Sequence, residues 1–232
     1  MVCRVLARAD ASWENAIVSI HKTVVLIVLA LGVAVVGCSG SENDPATLAK
    51  VAKTDRDPEK RIAATAALTD QALLADVAKN GSHEKARCIA IAKLTDQATL
   101  VEIARNDPDM TMRHSAVERL TDQAVLLDVA NTDEISVVRE AAVERLTDQA
   151  ALADFAKNAI YPMVREAAAR RLTDQAVLTD IAKTDRAIYV RQAAIEQLTD
   201  QAVLTDLANN AKEDLVRQTA AKRLRSVTEK TL

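Results

Sequence analysis

The chain has 232 residues, 49% apolar and 27% charged, enough to bury a sizeable core and too apolar for a disordered tract. Its formal net charge of −3, with no long run of Lys or Arg, lacks the electrostatic footprint of a nucleic-acid binder. Aromatics make up 2%, and Gly and Pro number four each, so packing must rest on Ala, Leu, Val and Ile in helices rather than strands.

From Thr23 to Gly37 the sequence TVVLIVLALGVAVVG is uncharged and follows His21 and Lys22. A spanning helix needs about 20 apolar residues, whereas a signal peptide needs a basic start, a shorter apolar stretch and small residues at the cut. Val35-Val36-Gly37-Cys38 resembles a bacterial lipobox. That resemblance implies a lipoprotein signal peptide over residues 1–37 and cleavage before Cys38, with diacylglycerol on its thiol and a further acyl chain on the new amino terminus. Several chains matter, because one alone holds a protein only marginally to a bilayer. An ordinary secretory signal and an uncleaved anchor are the alternatives. Residues 38–43 become a lipidated cysteine and short tether, and the expected location is the bacterial cell envelope, on the periplasmic or outer-surface side. Cys3 leaves with the leader, so Cys88 is the remaining free thiol and no intrachain disulfide is expected.

Beyond the tether the pentapeptide LTDQA starts at Leu68, Leu94, Leu120, Leu146, Leu172 and Leu198, always 26 residues apart. Counting from the aspartate, seven units begin at Asp44, Asp70, Asp96, Asp122, Asp148, Asp174 and Asp200 and fill residues 44–225, leaving 226–232 as a C-terminal tail. A fixed period of this length means a stacked array whose units share their apolar faces. In unit six, Leu178, Ile181 and Ala182 stand at positions 5, 8 and 9, and Val190, Ala193, Ala194 and Leu198 at positions 17, 20, 21 and 25. Both sets have helical spacing. The opening aspartate is a good N-cap, and in unit one Pro45 follows it at the first helical position. A first helix, A, over positions 2–10, turn residues at 11–15 and a second helix, B, to position 25 complete each unit.

Position 1 is always Asp, 5 Leu, 9 Ala, 18 Arg, 21 Ala and 25 Leu. Alanine at two fixed places marks close helix approach, where a larger side chain costs about 1–3 kcal/mol. The VRxAA pattern in the second helix, with short Leu-rich helix pairs, resembles the HEAT-like repeats, especially the short variants of phycobilisome lyases. The fold class expected is all-α, a right-handed α-solenoid of about seven 26-residue helix-turn-helix repeats.

In HEAT-like proteins the second-helix arginine commonly joins an aspartate near the inter-helix turn. The matching arginines are Arg61, Arg87, Arg113, Arg139, Arg165, Arg191 and Arg217. Position 12 is acidic only as Asp55, Asp107, Asp133 and Asp185, and Gly81, Ala159 and Ala211 interrupt the series. The opening aspartates are the acidic residues present in every unit, so they are expected to share the arginines in a structural ladder. An anion-binding row is the alternative reading of these arginines. Acidic residues at position 7 (Asp76, Glu102, Asp128, Asp154, Asp180, Asp206) read as a solvated face opposite the apolar stripe.

Catalysis should break the repeat, because it needs different residue types converging on one point. The nearest approach to such a break is Cys88 and His114, both at position 19 of adjacent units, with no third ligand at metal spacing. No catalytic residue, metal or cofactor is expected. Positions 14–16 turn apolar in the later units, at Ile135, Val137, Tyr161, Met163, Ile188, Tyr189 and Leu215, a candidate partner strip if exposed and a loop-packing seam if not. The function expected is a lipid-anchored scaffold that binds proteins in the envelope. A HEAT-like lyase or chaperone-type enzyme and a purely structural spacer are the alternatives.

Overall fold

Each unit starts where an aspartate in extended conformation ends the Leu-Thr segment and turns its carboxylate onto the amides of a new helix. In the computed structural model, which describes residues 44–229, this gives fourteen α-helices and no strand among the described residues. They belong to the second of the two units into which the chain divides, residues 43–232. The expected signal peptide, Cys38 and its tether lie outside the described residues.

The A helices are α1 (Pro45–Thr54), α3 (Gln71–Asn80), α5 (Gln97–Asn106), α7 (Gln123–Thr132), α9 (Gln149–Asn158), α11 (Gln175–Thr184) and α13 (Gln201–Asn210). The B helices are α2 (Pro58–Ala67), α4 (Glu84–Lys93), α6 (Met110–Val117), α8 (Ser136–Val143), α10 (Pro162–Arg171), α12 (Ile188–Gln197) and α14 (Asp214–Glu229). Every A helix is capped by its opening aspartate; Asp174 Oδ1, for example, accepts from the amides of Ala176 at 2.9 Å and Val177 at 3.1 Å. Such a cap satisfies N–H groups that have no partner within the helix. Pro45, Pro58 and Pro162 occupy first-turn positions, where a missing N–H costs nothing.

Each A helix packs against its own B helix, and each B helix packs against the B helices before and after it, the arrangement of a solenoid of repeats of about 26 residues. Neighbouring B helices pack together all along the array, whereas contact between neighbouring A helices is sparser. The close approach follows from the alanine at position 21: Ala90, Ala116, Ala142, Ala168, Ala194 and Ala220 are all fully buried. Leucines 94, 120, 146, 172 and 198, which end the B helices, fill the layer between them and are also buried. At the ends of the array some core positions open up, and Leu48 at position 5, Ala208 at position 9 and Leu224 at position 25 are only partly buried.

The glutamine of LTDQA closes the helix pair in units two to six. Gln149 Oε1 accepts from the amide and the hydroxyl of Thr173, both at 3.0 Å, while its Nε2 donates to the carbonyl of Arg171 at 3.2 Å. Gln71, Gln97, Gln123 and Gln175 repeat the clamp on Thr95, Thr121, Thr147 and Thr199. Unit seven has Arg225 in place of that threonine, and α14 runs on to Glu229, so much of the expected tail is helix.

Candidate functional site

The arginine at position 18 does not share the opening aspartate. Asp44, Asp70, Asp96 and their successors are committed to capping, and none of the ion pairs among the described residues joins them to an arginine. Bonds from the hydroxyl and amide of Thr99 hold Asp96 below the usual carboxylate range. The arginines reach forward instead, to the turn of the next unit. Arg113 grips Asp133 with Nε at 2.7 Å and a terminal nitrogen at 3.2 Å, and Arg165 grips Asp185 at 2.7 and 3.0 Å; Arg87 meets Asp107. Such two-point pairs are the strongest that a guanidinium makes. The bonds to these aspartates raise the already high pKa values of Arg113 and Arg165.

Where the next unit lacks that aspartate, the guanidinium finds a substitute. Arg61 donates to Ser82 Oγ at 2.8 Å. Arg139 lies 5.8 Å from the centroid of the Tyr161 ring, within cation–π range. Arg191 pairs with Glu213 at 3.0 Å but leaves its Nε buried without a partner. Gly81 marks one interruption with a steric reason, since a Cβ there would lie 2.5 Å from the Val77 carbonyl oxygen. Arg217, at the end of the series, turns back to Asp214 of its own unit. Arginines so engaged stand as structural cross-links.

The position-7 carboxylates are likewise paired, not merely solvated. Lys53–Asp76 at 2.5 Å, Lys79–Glu102 at 3.1 Å, Arg105–Asp128 at 3.0 Å, Lys157–Asp180 at 3.8 Å and Lys183–Asp206 at 3.0 Å join consecutive A helices along the outer face. The bond from Lys53 lowers the Asp76 pKa. Asn131 interrupts the series opposite Asp154, which bonds Asn158 of its own helix at 2.8 Å.

Cys88 and His114 are not brought together as a reactive pair. The near polar neighbour of the thiol is Ser115, whose hydroxyl lies 4.0 Å from Sγ, and His114 Nδ1 faces Glu118 at 3.9 Å. Burial pushes the thiol pKa up, away from the thiolate that a nucleophile or metal ligand requires. No group of three or more His, Cys, Asp or Glu side chains arranged for a metal occurs among the described residues. An open depression of about 390 Å³ between units six and seven is lined by the ion pairs Lys183–Asp206 and Arg191–Glu213 and by Lys212. No described helix is long and apolar enough to cross a membrane.

Apolar side chains also remain uncovered. Large hydrophobic side chains exposed among the described residues are Met110, Leu127, Ile160, Tyr161, Ile188, Tyr189 and Leu215. All but Leu127 stand at positions 13–16, on the turn edge where the B helices begin, in units three, five, six and seven. The sequence strip is thus partly corrected. Ile135 and Met163 fold down against the core, Val137 is partly buried, and Met110 and Ile160 join the exposed set. Ile160, at 82% exposure, is far the most open of them. It escaped the sequence reading because position 13 carries Arg, Ser, Pro, Glu or Lys in the other units and was read as ordinary turn.

No protein-family profile matches the chain, and no curated protein or solved structure matches it either.

Proposed function

We propose that this chain is a lipid-anchored, HEAT-like repeat scaffold of a bacterial envelope whose turn edge binds protein. The observation that carries the reading is the row of exposed apolar side chains at the starts of the B helices of units three, five, six and seven, from Met110 to Leu215. Such side chains, all but Leu127 gathered on one edge of a regular array, favour a docking surface, because soluble surfaces scatter their exposed hydrophobics singly. Tyrosines 161 and 189 supply amphipathic area of the kind that dominates binding energy. Anchorage rests on the resemblance of Val35-Val36-Gly37-Cys38 to a lipobox.

Crosslinking in the native envelope, followed by mass spectrometry, tests both parts. The docking reading expects products at the turn edge that vanish when Tyr161→Ser and Tyr189→Ser are combined in a folded chain; products unchanged by that pair would overturn it. The anchoring reading expects a diacylglyceryl group on the Cys38 peptide and release from membranes by Cys38→Ser. An unmodified Cys38 in a chain that still begins with the leader would overturn that part.

A further inference from the structure

We infer that the partner of this edge is a second copy of the chain, docked antiparallel about a two-fold axis beside Ile160. The inference rests on the protein-binding reading above and names the occupant. It comes from reading position 13 along units three to seven: Pro108, Glu134, Ile160, Arg186, Lys212. The middle is apolar, one flank is acidic and the other is basic. A two-fold interface puts the same patch on both copies, so residue i meets j and j meets i. With the axis at unit five, unit four of each copy faces unit six of the other, and Glu134 meets Arg186 twice. Unit three then faces unit seven, setting Asp109, beside Pro108, against Lys212. A parallel arrangement would instead oppose Glu134 to Glu134 and Arg186 to Arg186.

The centre of this pattern is built differently from every other turn. Ala159-Ile160-Tyr161-Pro162 contains no charged residue, whereas positions 12–15 of each other unit carry at least one. Asp109 caps α6 through the Thr111 amide, whereas the two charges next to the centre, Glu134 and Arg186, stand open to an outside partner. Glu134 lies 3.9 Å from Arg113, which is already held by Asp133, and its side chain remains 83% exposed. Arg186 is exposed and enters no ion pair among the described residues. Tyr161, Ile188, Tyr189, Met110 and Leu215 lie along the same edge and supply apolar surface that would exclude water from these charges once a second copy docks. Five units spaced about 9–10 Å apart give an edge about 40 Å long. At a width of about 15–20 Å it covers roughly 600–800 Å² per copy, the size of a standard specific interface.

The test uses the full chain in its membrane, in a Cys88→Ser background, with Ile160→Cys added and a mild copper oxidant. The expected result is a disulfide-linked homodimer from Ile160→Cys and none from Arg56→Cys, which occupies position 13 of unit one, beyond the overlap. Either Glu134→Lys or Arg186→Glu in the Ile160→Cys chain should lower the yield about tenfold, since two like-charge contacts replace two opposite ones. The two reversals together should restore it. A homodimer yield no greater than that of Arg56→Cys, or charge reversals without effect, or no rescue by the double reversal, would each overturn the inference. If the homodimer is missing while Tyr161→Ser with Tyr189→Ser still abolishes envelope crosslinks, only the second copy is removed and the docking edge stands. Absence of both removes both.

Discussion

Replacing Asp133 by Ala separates the buried cross-links of this array from the exposed ones at a single junction. Arg113 and Asp133 keep 8% and 7% of their side-chain surface exposed and share two bonds, at 2.7 and 3.2 Å. Asp133 also accepts the amide of Ile135 at 2.8 Å, fixing the turn that starts α8. Its loss leaves the guanidinium with the carbonyls of Asp107 and Pro108, at 2.9 and 3.4 Å, and the exposed carboxylate of Glu134 at 3.9 Å. Breaking a buried pair from one side costs about 3–5 kcal/mol, most of it the burden of the charge left behind. On the outer face of the same junction Arg105 and Asp128 lie 3.0 Å apart but remain 46% and 45% exposed, and pairs of that kind contribute about 0.2–1 kcal/mol. Two double-mutant cycles, Asp133→Ala with Arg113→Met and Asp128→Ala with Arg105→Met, read by urea unfolding of the helical circular dichroism, should therefore differ. The first should give a coupling of about 2 kcal/mol or more and the second below about 1 kcal/mol. Equal couplings, or a larger one for the exposed pair, would refute the reasoning that burial sets the worth of these bridges.

Ala211→Asp should stabilise the chain by about 1 kcal/mol, because its backbone (φ −62, ψ 141) matches that of Asp185 (φ −61, ψ 139) and a carboxylate there would face the unpartnered Nε of Arg191. An unchanged or lower urea midpoint would argue against it. Gln149→Ala removes all three bonds of one clamp and should cost about 1–3 kcal/mol, with faster amide exchange at Thr173 and the end of α10; unaltered exchange there would contradict the clamp. Leu146→Ala, at a fully buried site, should lose about 2–5 kcal/mol in the same unfolding assay, and a loss below about 1 kcal/mol would place that leucine outside the shared core. Acid should weaken the array. The bond from Lys53 holds Asp76 low, while for Asp185 burial pushes the pKa up but the bonds from Arg165 and the Ala187 amide outweigh it. With folded values below the unfolded one, the unfolded chain takes up protons first. The stability these groups give is complete above about pH 5 and is lost as pH falls through about 4 and below. Asp185→Asn should flatten that acid limb, and a urea midpoint level down to about pH 3 would exclude these carboxylates as its cause.

The helices were legible in the sequence because each unit spells its own boundaries. An aspartate cap, a leucine at position 5, two fixed alanines and a closing leucine recur at the same offsets; every A helix falls within about a residue of those marks and every B helix starts at position 15, while α6 and α8 stop three residues short of position 25 and α14 runs past it. Side-chain partners were less legible, for a physical reason. Periodicity reveals a residue whose environment repeats, and the arginine at position 18 repeats because in units one to six it reaches the next turn; what receives it changes from Ser82 to Asp107, Tyr161 or Glu213. Seeking a partner present in every unit therefore led to the opening aspartate, whose constancy comes from capping. The outer ladder did leave a signal: positions 7 and 10 carry opposite charges in most units, and an offset of 23 residues links Lys53 to Asp76 and Lys183 to Asp206. A helical wheel of one unit shows only a solvated acidic face, because the partner belongs to the unit before. The exposed strip was half visible. Aromatic and aliphatic letters at positions 14–16 identified it, but burial separates Ile135 and Met163 from Tyr161 and Tyr189, and letters alone do not reveal which way a side chain at a helix start turns.

The most direct test of the whole account is a deletion series through the array, with unfolding followed by urea. Excising residues 122–147, one complete unit, should leave a folded, cooperative protein with a lower midpoint, and removing a second unit should lower it further, because stability in a stacked array sums unit and interface contributions. Excising 13 residues, half a period, should abolish folding, because it opposes unlike helix faces. A midpoint that does not depend on the number of units, or a half-unit deletion as stable as a whole-unit one, would contradict the claim that each repeat is completed by its neighbours.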